Sequence, residues 1–259
     1  MTRRSSSEPT GDQNDRRQQD RFDHRRQSRH RPRTRRRSAP PWSKARICRN
    51  AWRNIARGRR TRDAVDAGRD QHAQIQQAVE RVGALDVLIN NAGVAIYDDP
   101  GNLDTIEQHL AVNLFGIVKV TRAFLPLLKR SNGAIVNNLS LAALAPLPMI
   151  PGYSMSKAAA LNMTQSLRAR LARQGVSVHA VILGPIDTDM NRGFDIPKAA
   201  PAIAAKGIFD GLQKGEEEIF PDPASQSIAE GWRAGTAKAL ERQFEAFVPS
   251  TAPGVAAVA

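Results

Sequence analysis

One cysteine, Cys48, stands in 259 residues. That excludes an internal disulfide and a cysteine-based metal site, and it matches the cytoplasm, the compartment expected here. No stretch reads as long and apolar enough for a transmembrane helix, so no membrane partner is expected. Residues 1–70 contain no Leu and no Val before Val65, and the first Leu is Leu85. They hold 22 Lys+Arg against 8 Asp+Glu, whereas residues 71–259 hold 16 against 17. The formal net charge of +13 is therefore +14 from the first segment and −1 from the rest. A segment this polar and basic has too little apolar surface to offset the entropy of ordering, so residues 1–70 are expected to be disordered. Clustered Arg is also the footprint of phosphate binding. A nucleic-acid-binding arm on a non-catalytic α/β scaffold is therefore the alternative function, though not the favoured one. A transit peptide fits less well, because Glu8, Asp12, Asp15, Asp20 and Asp23 are acidic.

From residue 71 the pattern changes. Leu85-Asp-Val-Leu-Ile-Asn90-Asn91-Ala92-Gly93 reads as a buried parallel strand that closes in a small-residue turn. The run from Gly133 to Ser140 is a second strand with Ser140 at its C-terminal end. The run from Val176 to Leu183 is a third, followed by Gly184-Pro185-Ile186-Asp187-Thr188. Helical periodicity covers Leu103 to Lys129, with Pro126 near its end, and Tyr153 to Gln174. Further helices are expected over Pro197 to Gly211 and Ala224 to Phe247, with Glu216 to Phe220 as a short strand between them. Alternating strands and helices predict one α/β domain, a doubly wound parallel sheet over residues 71–259.

Tyr153 and Lys157 stand at i and i+4 at the start of a helix, on one face. A phenol with a pKa near ~10 is a poor acid-base catalyst at neutral pH. A neighbouring ammonium favours the phenolate and is expected to pull that pKa down. Ser140, 13 residues before Tyr153, supplies a hydroxyl that can hold a substrate oxygen beside the phenol. The chemistry this points to is proton transfer at a carbonyl or alcohol oxygen. A Tyr-x-x-x-Lys pair alone is weak evidence, since its bland reading is a solvated helix face. The surrounding motifs decide the matter.

Those motifs, in this order, closely resemble the short-chain dehydrogenase/reductase family over residues 71–259. Asn90-Asn91-Ala92-Gly93 matches the family's turn on the adenosine side of the cofactor. Asn113, Ser140, Tyr153 and Lys157 match its catalytic tetrad. Gly184, Pro185, Ile186 and Thr188 match the segment beside the nicotinamide. Two departures are mild: Leu183 where the family usually has Pro, and Leu139 where it has a small residue. The resemblance implies a Rossmann-like fold and NAD(P)-dependent interconversion of an alcohol and a ketone or aldehyde. It implies Tyr153 as general acid or base, Ser140 orienting the substrate oxygen and Lys157 holding the nicotinamide ribose. Asn113 would hold a relay water, with a buried helix-bend residue as its bland rival. Asn90, Ala92 and Gly93 would touch the cofactor, Thr188 the nicotinamide amide or simply the next helix as its N-cap. A homo-oligomer built on the Leu103–Lys129 and Tyr153–Gln174 helices is also implied.

The beginning of the chain departs from the family. Its opening strand and its Thr-Gly-x-x-x-Gly-x-Gly phosphate loop are not in the written residues, so the N-terminal strands are expected to be missing and residues 71–259 to form a truncated catalytic domain. Leu88 and Ile89 would then lie on an exposed edge, and this chain would fold poorly and turn over little substrate. Read one base later, the degenerate codons of Asp23 to Thr34 permit Ile-Thr-Gly-Ala-Asn-Arg-Gly-Ile-Gly-Arg-Ala, the missing loop. The same shift over Trp42 to Ala51 permits the family's second strand, and the frames rejoin near Asp70 to His72. The basic segment therefore reads as a frame-shifted one. Arg residues in the recovered frame favour NADP over NAD.

The substrate pocket is expected from Ala142 to Ile150 and Met190 to Ala200, with Leu144, Leu147, Met149, Ile150, Met190 and Phe194 making it apolar. The substrate is thus a small alcohol or carbonyl compound, apolar in character. His179 sits in an apolar strand and reads as structural. Asp187 and Asp189 lack further ligands at metal spacing, so no metal is expected.

Overall fold

A computed structural model describes residues 47–49, 63–97 and 102–248, with side-chain environments from residue 72 onward. Among the described residues the sheet has five parallel strands, β1 (Ile47–Arg49), β2 (Val87–Asn90), β3 (Ala134–Asn138), β4 (Ser177–Val181) and β5 (Glu218–Ile219), arranged in that order. The helices are α1 (Asp63–Val82), α2 (Leu103–Leu110), α3 (Ile117–Ser131), α4 (Pro151–Leu171), α5 (Pro201–Lys214), α6 (Pro223–Ala234) and α7 (Thr236–Phe244). This is the Rossmann-like parallel α/β fold that the alternation predicts.

Side chains alternate across each strand, and the alternation sorts the core into layers. Leu88 and Ile135 face Ile75 of α1, Val120, Phe124 and Leu128 of α3, and Leu171 of α4. Val87, Ala134 and Val136 face the other way, against Leu212 of α5 and Ile219. Helices therefore cover both faces. Continuous apolar runs in β2, β3 and β4 follow from that double burial. The register Ile89↔Val136 and Val136↔His179 brings the C-terminal ends of β2, β3 and β4 to one edge, where the candidate site lies.

Four expectations change. The 1–70 segment does contribute structure, because β1 pairs with β2 (Ile47↔Val87, Cys48↔Leu88, Arg49↔Ile89) and α1 begins at Asp63. Backbone hydrogen bonds make that strand whatever its side chains are, so β2 is not the exposed edge that the missing strands implied. The rest of the segment, including the recovered phosphate loop and the basic arm, lies outside the described residues. The expected C-terminal helix is two helices, broken at Gly235, whose φ of −75° and ψ of 156° are extended. The third substrate-side helix runs Pro201–Lys214 instead of starting at Pro197; Pro at its first turn suits a helix N-terminus. Finally, the continuous helical run Leu103–Ser131 is long and apolar enough to cross a membrane, contrary to the sequence reading. In this fold its apolar residues Val120, Phe124 and Leu128 are spent on the core.

That long run is not one regular α-helix. Residues Ala111–Gly116 form a π-helical turn between α2 and α3, and Asn113 lies within it, fully buried. One extra residue in the turn rotates the following face.

Candidate active site

Ser140 follows the end of β3 by two residues, in extended backbone at φ −157°, and its hydroxyl accepts a hydrogen bond from Ala142 N at 3.1 Å. Tyr153 and Lys157 lie in the first two turns of α4, which starts on Pro151. Serine and phenol meet: the Ser140 hydroxyl hydrogen-bonds the Tyr153 side chain. Lys157 Nζ lies 5.6 Å from the Tyr153 ring centroid and donates to the Asn138 carbonyl at 2.9 Å. A strand end and a helix start, far apart in sequence only by a turn-rich loop, are thus joined by three polar groups.

Burial governs their ionisation. Tyr153 is 9% exposed, and desolvation raises its pKa above the usual value, with the Ser140 hydrogen bond opposing. The expected lowering by Lys157 is therefore not what these residues alone produce. The reason is that the ammonium points to the Asn138 carbonyl while the phenol is stripped of water. Lys157 is itself pulled down to about 8 by its burial.

Asn113 reaches the site from the π-helical turn. Its Nδ2 donates to Val94 O and to Ser156 Oγ, and its Oδ1 accepts from Val94 N, each at 2.9 Å. Ser156 Oγ donates in turn to Tyr153 O at 2.7 Å. The Asn113 amide thus ties the loop after β2 to α4, which is how its bland rival, a buried bend residue, also behaves.

The proposed cofactor residues surround this centre. Asn90 points its amide inward: Nδ2 donates to Thr121 Oγ1 at 3.1 Å and Asn137 Oδ1 at 2.8 Å. Ala92 packs partly buried against the core. Gly93 is backed closely, since a Cβ there would stand 3.1 Å from Asn113 Oδ1 and 3.5 Å from Lys157 Nζ. Gly184 N donates to Asp222 Oδ2 at 2.9 Å, which anchors the 184–188 segment to the start of α6. Pro185 O accepts from Ala199 N at 2.9 Å, and Ile186 pairs with Ala199 as an isolated parallel bridge. Thr188 occupies the N-cap position of a short turn, Asp189–Asn191, but makes no side-chain cap bond; its hydroxyl donates to Ile186 O at 3.4 Å. A cleft beside it is lined by Asp187, Thr188, Asp189, Arg192, Gly193 and Lys198.

Several participants escaped the sequence reading. Asn138 carries the carbonyl that holds Lys157, and its side-chain amide bonds Asn91 Oδ1. His109 is fully buried and meets Tyr153 edge-on, ring centroids 6.1 Å apart. Asp222, which falls between the expected strand Glu216 to Phe220 and the expected helix from Ala224, caps α6 and holds Gly184. None has a signal in local spacing. His179 is structural, as read: its Nδ1 donates to Glu216 O at 2.6 Å and burial lowers its pKa. Asp189 pairs with Arg192. The acidic group Glu217, Glu218 and Glu241 converges as a metal site would, but Lys238 Nζ sits 2.9 Å from a carboxylate oxygen of each.

Comparison with known proteins agrees with this geometry. The short chain dehydrogenase family model matches residues 61–198. The chain is 38% identical over 151 residues to 2-(R)-hydroxypropyl-CoM dehydrogenase of Xanthobacter autotrophicus, covering 56% of this chain and 60% of that protein. It is 35% identical over 167 residues to estradiol 17-beta-dehydrogenase 2 of Rattus norvegicus, covering 63% and 39%. Both relatives are thus matched over less than two thirds of their length. A solved short chain dehydrogenase from Burkholderia cenocepacia, in complex with NADP, superposes with a TM-score of 0.59 at 37% identity, over 66% of this chain and 73% of that one. The chain belongs to the short chain dehydrogenase family.

Proposed function

We propose that this chain is an NAD(P)-dependent oxidoreductase that interconverts an alcohol with a ketone or aldehyde. The observation that carries the reading is the buried Tyr153 phenol, hydrogen-bonded to Ser140 and backed by the Lys157 ammonium. In the reductive direction Tyr153 donates a proton to the substrate oxygen while Ser140 holds that oxygen in place. In oxidation Tyr153 takes the proton back. Burial raises the pKa of the phenol, which makes it a weaker donor, and the Ser140 hydrogen bond opposes that rise.

The residues present fit the nicotinamide half of a dinucleotide. Gly93 offers backbone without a side chain, Asn138 Oδ1 is buried with no hydrogen-bond partner in the described structure, and Lys157 lies between them. Asn90, Ala92, Gly93, Lys157 and Gly184 to Thr188 would hold the cofactor, which supplies the hydride. NADP is favoured over NAD, in keeping with the NADP bound to the Burkholderia cenocepacia protein. The substrate is read as a small, apolar carbonyl or alcohol compound, since Leu147, Met149 and Met190 stand exposed on the loops beside the site. Exposed Phe115, Val118 and Met155 support a homo-oligomer built on α3 and α4. A cytoplasmic location without membrane attachment completes the reading, supported by the single cysteine.

The test is NADPH consumption by the purified full chain with a panel of apolar ketones, beside its Tyr153→Phe variant. Turnover that disappears in the variant supports the reading. Turnover unchanged by Tyr153→Phe, or NADPH binding undetectable by fluorescence, would sink it.

A further inference from the structure

Residues 91–97 follow β2 without regular secondary structure, so their backbone groups need partners from elsewhere. One helical face supplies them. His109 of α2 and Asn113, one turn further on, stand at i and i+4. In extended chain alternate residues are about 6.6 Å apart, close to the rise of one helical turn. The two periodicities match: Asn113 takes both backbone groups of Val94, and His109 Nε2 accepts from Ile96 N at 2.9 Å. An imidazole that accepts at Nε2 carries its proton on Nδ1 and is neutral.

The next residue is Tyr97. Its ring is 64% exposed, yet it stacks on Phe194, centroids 5.8 Å apart and planes 22° apart. Phe194 belongs to the segment that follows β4. The sheet order is β2-β3-β4, so the two loops leave the strands on either side of β3. The Tyr97–Phe194 stack therefore joins the loop after β2 to the segment after β4, whose strands lie on either side of β3. The same His109 ring that holds Ile96 meets the catalytic phenol edge-on, at 71°.

We propose that His109 is a positioning residue, which fixes the 94–97 loop so that Tyr97 and Phe194 form an aromatic clasp across the substrate entrance. The inference rests on the oxidoreductase reading and names what controls access to its site. His109 touches loop and phenol together, so the closed clasp and the orientation of Tyr153 are set by one buried ring. The clasp is shallow: loss of one aromatic stack changes an open–closed equilibrium roughly 2- to 10-fold. It therefore opens readily to a substrate, and carbonyl compounds with a flat or alicyclic apolar body gain most from its closing over them.

Three variants of the full chain test this. His109→Phe keeps a ring against Tyr153 and removes the acceptor; His109→Gln retains an acceptor; Tyr97→Ala removes the clasp alone. Amide hydrogen exchange is followed in segments 94–97 and 187–198, and KM and kcat are measured with a small and a bulky apolar ketone. For His109→Phe, faster exchange is expected in both segments, with KM for the bulky ketone raised about 3- to 10-fold and kcat changed less. His109→Gln should restore both. Tyr97→Ala should speed exchange in 187–198 while Ile96 stays protected, a pattern that survives even if His109→Phe fails to fold. Uniformly faster exchange, an unchanged 187–198 segment, or a Gln variant no better than Phe overturns the proposal. The exchange arm needs no turnover, so a wild-type chain that does not reduce ketones refutes the oxidoreductase reading while exchange still judges the clasp.

Discussion

Lys157 Nζ stands 5.6 Å from the centre of the Tyr153 ring while it donates to the Asn138 carbonyl at 2.9 Å. The ammonium is thus held by the main chain at the last residue of β3, not by the phenol. Its position survives whichever protonation state Tyr153 adopts. Asn138 thus sets where the charge sits, beside the Tyr153 ring.

Tyr153→Phe removes the proton carrier and leaves the fold, because only the hydroxyl is lost. Turnover is expected to fall by about 10²- to 10⁴-fold, the usual contribution of a positioned acid-base group. Ser140→Ala should cost a smaller factor. Steady-state kinetics beside circular dichroism separates lost chemistry from lost structure.

Burial holds Lys157 at about 8, below its ordinary 10.5. Below pH 8 both folded and unfolded chains carry the proton, and the folded state bears the full cost of a buried ammonium. Between 8 and 10.5 the folded chain releases it first, so this contribution to stability improves with rising pH. Lys157→Met should therefore stabilise the protein at pH 7 by roughly 2–3 kcal/mol, after allowance for the lost Asn138 bond. Urea titrations should show the gain shrinking as pH approaches 10.5.

A buried ion cluster ties α4 and α7 to the beginnings of β4 and β5. Arg168 Nη1 reaches Glu218 at 2.7 Å and Glu241 at 2.6 Å, while Arg168 Nε and Nη2 donate to the Val178 and Glu217 carbonyls. Burial raises the Glu217 pKa, but hydrogen bonds from Lys238 and Arg242 outweigh it and hold the group at about 2. A depressed carboxylate stabilises above its unfolded value and loses that contribution as pH falls from about 4.5 toward 2. Arg168→Met leaves the carboxylates less compensated and should cost about 3 kcal/mol. Its acid unfolding should begin at higher pH than that of the parent.

Two glycines should respond oppositely. A Cβ on Gly184 would lie 2.5 Å from Asp222 Oδ1 and 2.8 Å from Ala224 Cβ, so Gly184→Ala is expected to destabilise by about 1–3 kcal/mol and to shift the 184–188 segment. Gly231, inside α6, faces open space, and Gly231→Ala should stabilise by about 0.5–1 kcal/mol. Thermal melts of both variants check the contrast.

The missing phosphate loop makes a prediction about the gene. Genomic sequence across the codons for Asp20 to Glu80 is expected to contain one further base near the Asp70 codon. A shifted frame interrupted there by stop codons would dismiss the frame-shift reading.

Sequence alone determined what is local. Apolar runs predicted β2, β3 and β4 to within a few residues, because burial on both faces leaves no alternation to misread. The i, i+4 spacing by itself places Tyr153 and Lys157 on one face of α4, since helix geometry is the same everywhere. Tertiary structure decided the rest. The direction of the Tyr153 pKa depends on how much water the fold removes. Asn138, His109 and Asp222 acquire their parts from partners 13 to 44 positions away, at Ile96, Lys157, Tyr153 and Gly184. Arg168 and Glu241, 73 positions apart, are charged residues on separate helices until the chain folds them into one buried cluster. Spacing reports geometry within an element; desolvation and cross-element contacts exist only once elements pack.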